Sequence, residues 1–283
     1  MLLLTLISGC RENDGKGDTA MGDDPGLYSW TAGERDILYH MSLPAQMARI
    51  FEDKDLAFQP ELPNPVNSMD SYDTPASMAA NLGVYGADLG YLRAMGQDSA
   101  TTSYMMTIYA LSGKLNIPRE IYSYLLINLD HYFNDPDEMA VQIDTIFSSV
   151  SVFLKDNDQE HLIALMMLGG WTESLYIASQ SYIRSPDNFN LLERIAEQKY
   201  SLNYLINSLN HYQDDPVLLQ YNLMLKNLKR SYDNIRIAYN KGAVRVDTVT
   251  KTITANEYHL ETSRRTILEI ASKIQSIRSR LVS

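Results

Sequence analysis

From Glu34 onward the apolar residues of this 283-residue chain recur at steps of three and four, a spacing that leaves few folds open. Ile143, Ile146, Phe147, Val150 and Leu154 form one stripe. Leu218, Tyr221, Leu225, Leu228, Tyr232, Ile235 and Tyr239 read as a second on one long helix, and Ile267, Ile270, Ile274, Ile277 and Leu281 as a third. A helix turns every 3.6 residues, so each stripe occupies one face and needs another helix to cover it, from this chain or from a partner. The interruptions carry helix-start chemistry. Thr74-Pro75, Asp135-Pro136, Ser185-Pro186 and Asp215-Pro216 each place a capping oxygen before a proline, which has no amide hydrogen to lose at the first helical position. Glu138, three residues after Asp135, adds a capping-box arrangement.

The expected fold is therefore all-α, a right-handed stack of α-hairpins forming a helical-repeat-like bundle over 34–283 as a single domain. Two stretches depart from it. Residues 58–75 hold Pro60, Pro63, Pro65 and Pro75, which block helix propagation and predict an extended surface crossover, a candidate lid. Residues 244–253 alternate β-branched side chains and read as either a small hairpin or an ordered loop before the last helix, the one candidate for strand.

A possible internal duplication runs through the helices. Tyr124 to Pro136 aligns without gaps on Tyr204 to Pro216, with seven of thirteen positions identical. Upstream, Leu82-Gly83-Val84-Tyr85 lies over Leu168-Gly169-Gly170-Trp171. Duplicated units at about 75–155 and 160–240 would bury their apolar faces on one another, and chance likeness between amphipathic helices is the alternative.

The chain has one cysteine, so a disulfide within the monomer is excluded. Cys10 ends the apolar opening Met1-Leu-Leu-Leu-Thr-Leu-Ile-Ser-Gly, and Ile7-Ser8-Gly9-Cys10 resembles a bacterial lipobox. That resemblance implies residues 1–9 as the end of a lipoprotein signal peptide, short and without a preceding Lys or Arg, whose start lies upstream. Cys10 would then carry the acyl chains, a palmitate type of anchor, each buried methylene contributing about 0.8 kcal/mol of membrane affinity. Residues 10–33 are polar and rich in Gly and Asp, a flexible tether. No later segment reads as a membrane-spanning helix. The net charge of −11 and pI near 4.9 disfavour a phosphate backbone, so no nucleic-acid partner is expected.

The run Ala80-Asn-Leu-Gly-Val-Tyr-Gly-Ala-Asp-Leu-Gly-Tyr-Leu92 is the best site candidate. It resembles the Asn-Leu-Gly-x-Tyr-x-Ala-Asp-Leu motif of uncharacterised predicted lipoproteins of Bacteroidetes. The likeness implies an all-helical fold and a cell-envelope address in the outer membrane, periplasmic or surface-facing, and no activity. Gly83, Gly86 and Gly90 each cost a helix about 1 kcal/mol relative to Ala, so they admit a close backbone or leave room for a ligand. Asp88 among them needs a partner. Tyr85, Asp88 and Tyr91, with Trp171 and Glu173 from the matching helix, are the candidate ligand-binding residues at the seam between units.

Other constellations are weaker. His131 and His211 both stand in His-Tyr-x-x-Asp-Pro, which suits the negative end of a helix better than a metal, and His40, His161 and His259 stand apart. Asp156-Asn-Asp-Gln-Glu160 lacks the glycine of a calcium loop and reads as a polar turn between helices. There is no Gly-x-Ser-x-Gly elbow and no glycine loop for phosphate. No catalytic residue, metal or cofactor is therefore expected. A non-enzymatic binding or scaffold module for peptide, glycan or an envelope protein is the favoured expectation, with an envelope hydrolase as the alternative.

Overall fold

The computed structural model describes residues 49–51, 56–123, 135–239, 244–247, 252–255 and 258–283. Cys10, the leader and tether, His131 and nearly all of the first duplicated segment lie outside the described residues. Among those described, eight α-helices follow in chain order: α1 Pro75–Ala94, α2 Asp98–Lys114, the short α3 Arg119–Tyr122, α4 Pro136–Asp156, α5 Glu160–Arg184, α6 Phe189–Leu209, α7 Pro216–Tyr232 and α8 Arg264–Leu281. All three apolar stripes reach the core, the second as far as Ile235.

Three of the four proline-marked starts cap helices. Thr74 accepts from the Ser77 amide in a reciprocal box, Asp135 from Glu138, and Asp215 from Val217 and Leu218. Ser185-Pro186 does not. There α5 ends at Arg184, Pro186 and Asp187 form a turn, and α6 starts three residues later with Asn188 accepting from the Leu191 amide. Asp156 to Glu160 is a helix–helix turn in which Asp158 takes a left-handed φ of 57°.

Helices α1 and α5 form the centre. Helix α2 packs on α1, while α4, α6 and α8 all pack on α5, and α7 bridges α6 and α8. The arrangement is thus an all-α bundle in which consecutive helices pack as hairpins round a central pair, with the C-terminal helix returning to the middle. Gly83 lies against Met166 and Gly170, and further along Gln59 bonds both Tyr91 and Ser181, so α1 and α5 run parallel.

Glycine sets their separation. A Cβ on Gly83 would stand 1.8 Å from the Met166 carbonyl oxygen, and one on Gly169 would stand 1.9 Å from that of Ala80. Each glycine therefore faces the carbonyl three residues before the other, the reciprocity that a local twofold axis between two like helices produces. Gly86 faces the ring of Phe147 on α4, 2.6 Å from where its Cβ would be.

The strand expectation needs correction. Strand β1, Arg236–Tyr239, pairs antiparallel with β4, Tyr258–Glu261, and β2, Val244–Asp247, with β3, Thr252–Ala255. Strand thus extends beyond 244–253 on both sides, and the long helix expected to reach Tyr239 stops at Tyr232. Steps of three and four from Tyr232 to Ile235 and Tyr239 fit a helix, but Ile235 and Ile237 also alternate as a strand does. The Asp233-Asn234 break decides between them: Asp233 closes the helix, Ile235 is buried, and Ile237 pairs with Leu260 against the core.

Helix α5 is long and apolar enough to cross a membrane by length and composition, which corrects the expectation that no segment after the leader would be. Most of its apolar window is buried by other helices, which accounts for its composition as a core helix.

Candidate functional site

All five candidate residues are enclosed. Tyr85, Asp88, Tyr91 and Glu173 have no measurable exposure, and Trp171 is 3% exposed. Two of them come together. Asp88 from α1 and Glu173 from α5 meet at the helix seam, carboxyl to carboxyl. The other three face different neighbours. Trp171 Nε1 donates to Gln198 Oε1 on α6 at 3.1 Å. The Tyr91 hydroxyl accepts the Gln59 amide at 2.8 Å, with its ring edge-on to Phe51. The Tyr85 hydroxyl donates to the Pro65 carbonyl at 2.9 Å. Together they do not line one open cleft.

The residue that organises the acids is Arg278 on α8. Its Nε donates to Glu173 Oε2 at 2.7 Å and its Nη2 to Oε1 at 2.8 Å, a two-point grip that fixes the carboxylate plane. Nη2 also donates to the Leu62 carbonyl at 3.2 Å, and the guanidinium lies 4.3 Å from the centre of the Tyr176 ring. Sequence reasoning missed Arg278, although a signal existed: it sits between Ile274, Ile277 and Leu281, on the flank of a stripe otherwise given to apolar side chains.

The proline-rich stretch closes the cluster. Leu62 and Asn64 are buried at 3% and 2% exposure, which corrects the surface crossover expected from the prolines. The Asn64 amide donates to Asp88 Oδ2 at 3.0 Å, its side chain donates to the Tyr72 hydroxyl at 2.9 Å, and its carbonyl accepts from Tyr104 of α2 at 2.8 Å. Proline spacing foretold a stretch without α-helix, although Val66–Ser71 forms a 3-10 helix where extended backbone was expected. It could not foretell that this backbone would bond inward, because the partners lie on three separate helices.

Burial, the largest influence on both acids, pushes the carboxyls up; Asp88 goes much further than Glu173, whose rise the Arg278 charge offsets. Glu173 also adds charge repulsion at Asp88. Burial opposes the charge of Arg278, yet Glu173 carries its pKa above the ordinary value. The phenols of Tyr85 and Tyr104 are likewise pushed well up by burial and stay neutral. Both shifts favour the neutral carboxyl, more strongly at Asp88 than at Glu173, which Arg278 holds by two bonds.

Among the described residues there is no group of three or more His, Cys, Asp or Glu side chains that could hold a metal. His211 lies in a 3-10 turn at the end of α6, with Nδ1 3.2 Å from the Ser208 carbonyl. An apolar pocket between α1, α2, α3 and α4, lined by Leu89, Ile108, Tyr122 and Phe147 among others, has about 30 Å³ of free space. That admits a water-sized molecule, not a metabolite. Comparisons with family models, curated proteins and solved structures find no match.

Proposed function

We propose that this chain is a lipid-anchored, non-enzymatic binding or scaffold module of the bacterial cell envelope, tethered through Cys10. The observation that carries the non-enzymatic part is the condition of the cluster of catalytic-type side chains at its centre. Asp88 and Glu173 are wholly enclosed, Glu173 gripped by Arg278 and Asp88 accepting the Asn64 backbone amide. A general acid or nucleophile needs a substrate atom within hydrogen-bond reach, and these positions are already occupied by protein. Contact with peptide, glycan or an envelope protein then belongs to the outer surface, where Phe189 and Tyr200 of α6 stand 56% and 46% exposed.

The anchoring part rests on the apolar opening that ends in Ile7-Ser8-Gly9-Cys10 and on the polar stretch behind it. Expressed in a bacterial host with lipoprotein processing, the full chain should enter the membrane fraction and incorporate labelled palmitate, and Cys10→Ala should abolish both. A Cys10→Ala protein that stays in the membrane fraction overturns the anchor.

A further inference from the structure

Residues 59–64 cross the bundle as a strap whose deepest bonds reach one cluster: the Leu62 carbonyl accepts from Arg278 Nη2, and the Asn64 amide donates to Asp88 Oδ2. The groups facing Asp88 are Tyr85 on its own helix, Tyr104 from α2, Glu173 from α5, Arg278 from α8 and Asn64 from the strap, with Tyr72 behind Asn64 and Tyr176 behind Arg278. Arg278 is the cation among them. Two carboxyls against one guanidinium leave an uncompensated negative charge in an enclosed site unless one carboxyl keeps its proton. Glu173 takes both guanidinium bonds, so the proton belongs to Asp88. Asp88 Oδ2 already accepts the Asn64 amide, and Oδ1 has no donor among the described residues, which leaves Oδ1 to carry the proton toward Glu173.

We propose that one proton held between Asp88 and Glu173 latches the strap onto the bundle, and that its loss frees residues 59–64 while the helices stay packed. Once both acids are ionised, the excess charge has to reach water. Helices α1 and α5 cannot part cheaply, because their backbones interlock at Gly83 and Gly169. The strap is the other wall of the cluster, and it is held at Asp88 by the Asn64 amide bond.

Hydrogen exchange of the full chain, corrected for the base-catalysed intrinsic rate, separates strap from core. Between the ordinary carboxylate value and the Asp88 transition of the closed strap, protection of the Leu62 and Asn64 amides should fall about tenfold per pH unit, one proton released per opening, and then level off, while Leu225 and Ile274, which exchange only when the bundle opens, stay better protected throughout. In Asp88→Asn, where an amide nitrogen replaces the acid hydroxyl, strap protection should not vary with pH. The proposal is overturned if strap and core amides show the same opening free energy at every pH, if the strap keeps its protection from about pH 6 to about pH 10, or if Asp88→Asn behaves like the natural chain. Should Asp88→Asn fail to fold, the Asp88 carboxyl carbon is followed by NMR in the natural chain. Titration in step with strap opening supports the latch, and an ionised Asp88 under a protected strap refutes it.

Discussion

Replacing Asp88 with asparagine should change not so much the stability of this protein as the way stability depends on pH. Asp88 is raised well above its ordinary value, first by burial and then by the charge of Glu173, so the folded state holds a proton that the unfolded chain has released. A group raised on folding contributes stability that is complete below its unfolded pKa near 3.8 and is lost as pH climbs toward and through its folded value. Across that window one proton corresponds to about 1.4 kcal/mol of unfolding free energy per pH unit. The carboxamide in Asp88→Asn reproduces the protonated form, accepting from the Asn64 amide and donating to Glu173, and has nothing to titrate. Urea unfolding from about pH 5 to about pH 9 should therefore show the variant gaining on the natural chain by about 1.4 kcal/mol per pH unit until Asp88 itself ionises in the folded state. Asp88→Ala also removes the titration but strands the Asn64 amide, and should sit about 1–3 kcal/mol below Asp88→Asn at every pH. Parallel curves for the natural chain and Asp88→Asn across the range would refute the assignment of the proton.

Arg278→Met should cost about 3–5 kcal/mol at neutral pH, because Glu173 is left enclosed without its guanidinium; a loss under about 1 kcal/mol by urea denaturation would show that Glu173 gives up its charge at no cost. Gly83→Ala adds a methyl 1.8 Å from the Met166 carbonyl oxygen and should lose at least the upper part of the roughly 1–3 kcal/mol typical of overpacking, seen as a lowered thermal midpoint.

Much of the frame was legible along the chain. The stripes at 143–154, 218–232 and 267–281 became buried faces, and three Xaa-Pro pairs became capped helix starts, because both depend on neighbours within a turn or two. The glycines of α1 announced a close approach for the same local reason: Gly83 has no Cβ wherever it ends up. Local signals failed where two periods coincide. Tyr232, Ile235 and Tyr239 keep a helical spacing while Ile235 and Ile237 alternate as in a strand, and pairing with residues some twenty positions later settled the matter.

The cluster at the centre was only half written in the sequence. Asp88 on a crowded helix announced the need for a partner, and Glu173 could be named because the two helices align. Arg278 and the strap could not be named. A charge-assisted bond to Glu173 spans 105 residues, and an extended proline-rich segment carries no mark of which way its amides and carbonyls point. Which faces had to be buried followed from the order of residues alone, since each face is set by neighbours on one helix. Tertiary packing alone decided that two acids and one base would share the same enclosed place, and therefore that one of those acids keeps a proton.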